Sequence, residues 1–286
     1  MRALVLSGGG SRGAYEVGVL RKVMKDEKRD YDLLFGVSVG ALNVAALAQT
    51  PLGKPDDAFD HLLALWESIK GDQSIFKKWP MWPFSVPFKH SVYNTQPLRD
   101  LVTAQLDQYA IRVSGRKVSV GAVSWDSGIY QDFTGEDPDF LQGVLASCAY
   151  PIMFEHVVAR GEEWTDGGVR DITPISSAIA AGASEIDVIM TGNPDAPTEW
   201  TSKDRTTLKR FGRMLDLVFD EIMRTDLTVV GYKNKLANYG ENYKAVNIRL
   251  MQPKTRMVEF DSLSFDPKAI KKMIEIGYKE AYVENF

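Results

Sequence analysis

Short apolar runs alternate along the chain with longer stretches in which apolar residues recur every three or four positions, the pattern of strands interleaved with helices. Ala3 to Leu6 is the first run, and a helix follows with Val17, Leu20, Val23 and Met24 at helical spacing. Leu33 to Val37 is the second, and it turns sharply into an uncharged helix. Strand, glycine loop, helix, strand, tight turn and helix form the opening of a βαβ unit, which implies parallel strands. Further helices are expected over 54–70 (amphipathic, with Phe59, Leu62, Leu63, Leu65, Trp66 and Ile69 apolar), 97–106, 139–148, 174–182 and 266–282, with Pro267 at the first position of the last. Strands are expected over 117–125, 128–134, 156–164, 186–190 and 243–250, the first two joined as a hairpin through Asp126-Ser127-Gly128. A long helical region over 204–238 puts Leu208, Phe211, Leu215, Val218, Phe219 and Ile222 on one face. Its first turns carry Lys203, Arg205, Lys209, Arg210 and Arg213, a cluster that suits a solvated face better than anionic lipid.

Composition narrows the class. The 286 residues hold no Pro/Gly/Ser-rich linker and no repeat, so residues 1–286 are expected to form one α/β domain, with an insertion at about 75–93 and a helical C-terminal part from about 200. A formal net charge of -4 gives no reason to expect nucleic acid as a partner. The single cysteine, Cys148, excludes an intrachain disulfide framework and suits a reducing compartment. Leu33 to Gly53 carries no charge and is as long as a membrane span, but Gly36, Ser38, Gly40, Asn43, Gln49, Thr50 and Pro51 interrupt it. It reads as a strand and helix inside a soluble core. Ala3 to Leu6 is too short for a signal peptide. The expected location is cytoplasmic, with peripheral contact at membranes.

Chemistry concentrates at the turn after the second strand. Gly36-Val37-Ser38-Val39-Gly40 has the G-x-S-x-G spacing of a nucleophile elbow, in which positions two before and two after the serine must lack side chains. The turn presents the Ser38 hydroxyl at a helix N-terminus, which favours developing negative charge. Upstream, Gly8-x-Gly10-x-x-Gly13 satisfies the dinucleotide-binding fingerprint. That motif needs a ribose-binding acid at the end of the second strand, where Ser38 stands instead; Asp30 and Asp32 precede the strand. No G-K-[ST] is present, so a P-loop fails. Beside a serine elbow, Gly8, Gly9 and Gly10 are better used as an oxyanion hole, since backbone N–H groups without Cβ atoms can converge on one oxygen.

A serine needs a base. The only histidines are His61, His90 and His156, and none follows Asp166, so the order Ser, acid, His is excluded unless the acid comes earlier. His156 with Asp126 or Asp132 stays formally open. The natural candidate is a carboxylate, Asp166, in the loop Thr165-Asp166-Gly167-Gly168; partial burial, with Ser38 as its hydrogen-bond partner, would raise its basicity. No His/Cys/Asp cluster has metal-ligand spacing, so no cofactor or metal is expected, and activity is expected not to need calcium.

Four blocks in this order resemble the patatin-like phospholipases, a family of Ser–Asp dyad lipid acyl hydrolases: Gly8-Gly9-Gly10-Ser11-Arg12-Gly13, Gly36-Val37-Ser38-Val39-Gly40, the run Ala146-Ser147-Cys148-Ala149-Tyr150-Pro151-Ile152-Met153-Phe154, and Asp166-Gly167-Gly168. The resemblance spans residues 4–190. It implies a three-layer α/β/α fold with a largely parallel central sheet, Ser38 as nucleophile, Asp166 as base, and the glycine loop with Arg12 as oxyanion site. Val39 N–H is expected to join that site. The implied activity is that of a phospholipase A or lysophospholipase acting on a phospholipid or other acyl-ester lipid. Three alternatives stay open: an acyltransferase on the same dyad, a nucleotide-binding oxidoreductase using Gly8 to Gly13, and a lipid-binding protein without catalysis.

One stretch lies outside the family pattern. Residues 75–89 hold two Trp, three Phe, three Pro and three Lys, and no acid. The prolines forbid a regular helix or central strand. Aromatics mixed with lysines suit a membrane interface, while the plainer reading is a loop folded down over the domain with its aromatics buried. A lid over the elbow satisfies both.

Overall fold

The computed structural model describes residues 1–82, 84, 86–193, 195, 207–236, 246–255, 257 and 261–285. In chain order the elements are β1 (Arg2–Leu6), α1 (Gly13–Leu20, prolonged by a wider turn over Arg21–Asp26), β2 (Leu33–Val37), α2 (Val39–Ala48), α3 (Pro55–Ser68), β3 (Lys77–Lys78), β4 (Tyr93–Asn94), α4 (Gln96–Gln105) and α5 (Gln108–Val113). They continue with β5 (Lys117–Ser124), β6 (Tyr130–Thr134), α6 (Phe140–Ser147), β7 (Val157–Ala159), β8 (Glu162–Asp166), α7 (Ile175–Ala180), β9 (Glu185–Ile189), α8 (Thr207–Leu236), β10 (Asn247–Gln252), α9 (Pro267–Glu280) and β11 (Tyr282–Asn285).

The sheet runs β11-β10-β9-β1-β2-β5-β8-β7, with β6 on the other edge of β5. Its centre, β10-β9-β1-β2-β5, is parallel throughout, and antiparallel strands finish both sides. Alternation along β1 builds the layers. Leu4 and Leu6 point into one core with α1, α2 and α3, while Ala3 and Val5 point into a second core with α7 and α8. Helices on both faces explain why all five residues of β2 are apolar or glycine and buried. The fold is a three-layer α/β/α arrangement around a largely parallel sheet.

Three differences from the sequence reading have local causes. The run 156–164 is not one strand: Arg160 (φ 52°) and Gly161 (φ 79°) both adopt the left-handed region, making a two-residue hairpin between β7 and β8. β11 and α5 were not expected, being short and without a strong period. Along α8, Phe211, Phe219 and Ile222 pack inward, but Val218 is turned out with Met214 and Leu217. Lys203, Arg205 and 243–245 lie outside the described residues.

Candidate active site

The site forms where strands end. β2 is parallel to β5 and finishes with Val37 opposite Gly121; β8 is antiparallel to β5 and finishes with Asp166 opposite Ala122. β6 occupies the other edge of β5 over the same stretch, so β2 and β8 share one edge and run head-on toward each other. Their carboxyl ends therefore place Ser38 and Asp166 side by side.

At the elbow Ser38 has φ 56° and ψ -126°, a conformation otherwise left to glycine. Crossing strands and helix compress the turn: a Cβ on Gly36 would stand 2.3 Å from the Gly40 carbonyl oxygen, and one on Gly40 would stand 2.4 Å from that of Leu6. Two contacts from the end of α6 hold the strained residue. The Ser38 N–H donates to Ser147 Oγ at 2.8 Å, and Cys148 Sγ–H donates to the Ser38 carbonyl at 3.1 Å. Neither role was read from the sequence, although Ser147 and Cys148 lie in the third resemblance block.

Asp166 is 1% exposed. Its carboxylate accepts the Gly168 N–H at 2.8 Å, and the Ser38 side chain is its polar neighbour. Burial pushes its pKa from the ordinary carboxylate range up to about 7, against the smaller opposing pull of those two groups. The result is a carboxylate with the basicity of an imidazole beside a serine hydroxyl.

The glycine loop reaches the same point. A side chain on Gly8 would begin 3.2 Å from Ser38 Cβ. The expected donors separate into two groups. The Gly8 N–H is already donated to the Ile172 carbonyl at 3.1 Å, and the Arg12 N–H to the Gly9 carbonyl at 3.2 Å. The Arg12 guanidinium is paired with Asp216 of α8 at 3.3 Å. These bonds engage the Gly8 and Arg12 backbone N–H groups and one arm of the Arg12 guanidinium. The N–H groups of Gly9, Gly10 and Val39 have no hydrogen-bond partner among the described residues, the last because it opens α2.

Above the serine lies a cavity of about 940 Å³, part of it open to solvent, bordered by Gly8, Gly9, Gly10, Ser38, Val39 and Asp166 at its base. Its walls are apolar, from Leu42 and Trp66 to Phe154, Ile172, Phe219 and Phe265. No histidine borders it. His61 Nδ1 lies 2.9 Å from Thr50 Oγ1, and His156 pairs with Glu163 at 3.3 Å and lies tilted against the Trp125 ring, 4.4 Å between centroids. Asp126 accepts the Glu163 N–H and Asp132 the Ser177 hydroxyl, so neither orients His156. Among the described residues no group of His, Cys, Asp and Glu is arranged to hold a metal ion.

The sequence model described as "Patatin-like phospholipase" matches residues 4–179. The chain belongs to the patatin-like phospholipase family. The match covers more than half its length and contains every block of the resemblance. Patatin-like phospholipases are hydrolases of acyl-ester lipids. A curated relative, the uncharacterized protein YjjU of Escherichia coli (strain K12), is 27% identical over 200 residues, which cover 66% of this chain and 51% of that protein. The chain thus spans about half the length of that relative. A crystal structure of VipD from Legionella pneumophila aligns with 98% of this chain and 65% of its own, at a TM-score of 0.43 and 14% identity. Among the described residues of this patatin-like chain no helix is long and apolar enough to cross a membrane.

Proposed function

We propose that the protein is a serine acyl hydrolase of phospholipase A or lysophospholipase type, using Ser38 and Asp166. Asp166 takes the Ser38 proton as Oγ attacks the ester carbonyl. The carbonyl oxygen becomes a tetrahedral oxyanion between the N–H groups of Gly9, Gly10 and Val39. Collapse breaks the ester C–O bond, and Asp166 returns its proton to the leaving alcohol or lysolipid. Water then attacks the acyl-enzyme by the same route and releases the fatty acid. The substrate is a phospholipid or other acyl-ester lipid, met at a membrane that the protein touches from outside through residues 75–89.

The observation that carries this reading is the buried Asp166 carboxylate, raised to about 7, beside Ser38 at the base of an apolar cavity. An acyl chain fits such walls, and a base of that strength works at neutral pH. The test is release of fatty acid from phosphatidylcholine, lysophosphatidylcholine and phosphatidylglycerol, with and without a calcium chelator. Release that is indifferent to chelator and lost in Ser38→Ala supports the reading. Release that persists in Ser38→Ala overturns it.

A further inference from the structure

The insertion at 75–93 is divided into a buried root and a bare tip. At the root, Ile75 and Phe76 are buried, and the Phe76 ring lies 5.4 Å from Phe154 and 6.5 Å from Phe265, both on the cavity wall. At the tip, Met81 is 81%, Phe84 79% and Phe88 87% exposed, with Trp82 at 36%. The expectation of a loop with all its aromatics folded inward therefore fails for the tip. Four large apolar side chains in eight residues, open to water, form a concentrated patch rather than scattered exposure.

Charge says what such a patch meets. Lys77, Lys78 and Lys89 are exposed and the stretch 75–93 contains no acid. None of the three makes an ion pair among the described residues; Lys78 Nζ lies 4.6 Å over the Trp82 ring and Lys89 Nζ 4.7 Å over Trp79. Rings at headgroup depth flanked by ammonium groups match an anionic lipid surface. A second element borders the same cavity. α8 turns Asp216, Phe219 and Met223 toward it and, on the opposite side of the helix, exposes Met214, Leu217 and Val218. Those three stand at i, i+3 and i+4, one apolar face without a partner among the described residues.

We infer that the tip of the insertion and the outward face of α8 together form a docking surface for an anionic lipid bilayer, which sets the mouth of the Ser38 cavity against the lipid. This rests on the lipid-hydrolase reading for its purpose, not for its observations. The tip supplies charge attraction and ring insertion; the outward face of α8 adds apolar contact. Each lysine near such a surface is worth roughly a fivefold gain in partitioning.

The test is sedimentation of the full chain, carrying Ser38→Ala so that no lipid is consumed, with vesicles of phosphatidylcholine alone or mixed equally with phosphatidylglycerol. The expected result is binding to the mixed vesicles, at least tenfold weaker with Phe84→Ser and Phe88→Ser together, and weaker by severalfold with Leu217→Glu. Replacing Lys77, Lys78 and Lys89 by Gln should erase the preference for phosphatidylglycerol. Unchanged melting temperatures establish that these exposed substitutions leave the fold intact. No binding to mixed vesicles, or binding indifferent to the tip and α8 substitutions, overturns the inference. Hydrolysis of a soluble short-chain ester by the Ser38 protein is read separately, so loss of docking and loss of the hydrolase reading are distinguishable.

Discussion

Val37 and Asp166 lie opposite consecutive residues of one strand, Gly121 and Ala122 of β5, although they are far apart in sequence. That register fixes the distance between Ser38 and Asp166, since each stands at the end of a strand paired to β5. Replacing Asp166 by Asn keeps this geometry and removes the proton acceptor. Turnover of an acyl ester should fall at least about a hundredfold. Steady-state rates of the two proteins check it, and near-equal rates would remove Asp166 from the mechanism.

The pH profile has a defined sign. Asp166 is a base only when ionised, and burial has raised its pKa to about 7. Activity, measured as kcat/KM, should therefore rise with pH through about 7 and then level off. A limb at the ordinary carboxylate pKa, near 4, would show that Asp166 is solvated in solution.

Ser147 should matter without touching substrate. Its Oγ is the acceptor for the Ser38 N–H in a backbone conformation that is itself strained. Ser147→Ala leaves that donor unsatisfied, at about 1–3 kcal/mol, and frees the elbow to relax. Thermal unfolding should register the loss of stability, and turnover should drop by about 10–100-fold through misplacement of the hydroxyl.

A second buried network supports the cavity wall. Glu16 is fully buried and burial holds its carboxyl protonated well above its usual range; Asn43 donates to it at 2.8 Å and accepts the Trp66 indole N–H at 2.8 Å. Asn43→Ala orphans both partners and should cost about 2–5 kcal/mol in a denaturant titration. Glu16→Gln, neutral and equal in shape, should cost far less.

Stability should fall as pH rises. Asp171 and Asp226 are half-buried beside each other, Asp132 is half-buried and Asp166 fully buried nearby; burial raises all four above their unfolded values, and like charge raises Asp226 further through Asp171 and Asp171 through Asp132. A carboxyl with a raised folded pKa stabilises fully below its unfolded pKa, near 4, and loses that contribution as pH climbs through the folded value. Melting temperature should accordingly decline from about pH 4 toward pH 8. Asp226→Asn should flatten the upper part of that decline.

Much of this was legible in the sequence because backbone constraints leave local marks. Gly36 and Gly40 announce a turn too tight for side chains, and the short apolar runs Ala3 to Leu6 and Leu33 to Val37 announce the buried strands beside it. The meeting of β2 and β8 was not legible, since pairing register is a long-range property. Ser147 holding Ser38, and Arg12 paired with Asp216, are contacts between distant segments with no spacing to reveal them. The hairpin at Arg160-Gly161 hid inside a continuous strand-like run, because arginine gives no warning of a positive φ.

The most direct measurement is reaction of the purified chain with a fluorophosphonate, followed by intact mass, for the wild type, Ser38→Ala and Asp166→Asn. An activated serine at Ser38 predicts a single adduct on the wild type, none on Ser38→Ala, and a labelling rate on Asp166→Asn lower by about a hundredfold. Equal labelling of wild type and Ser38→Ala, or full-rate labelling of Asp166→Asn, would contradict a Ser38–Asp166 dyad.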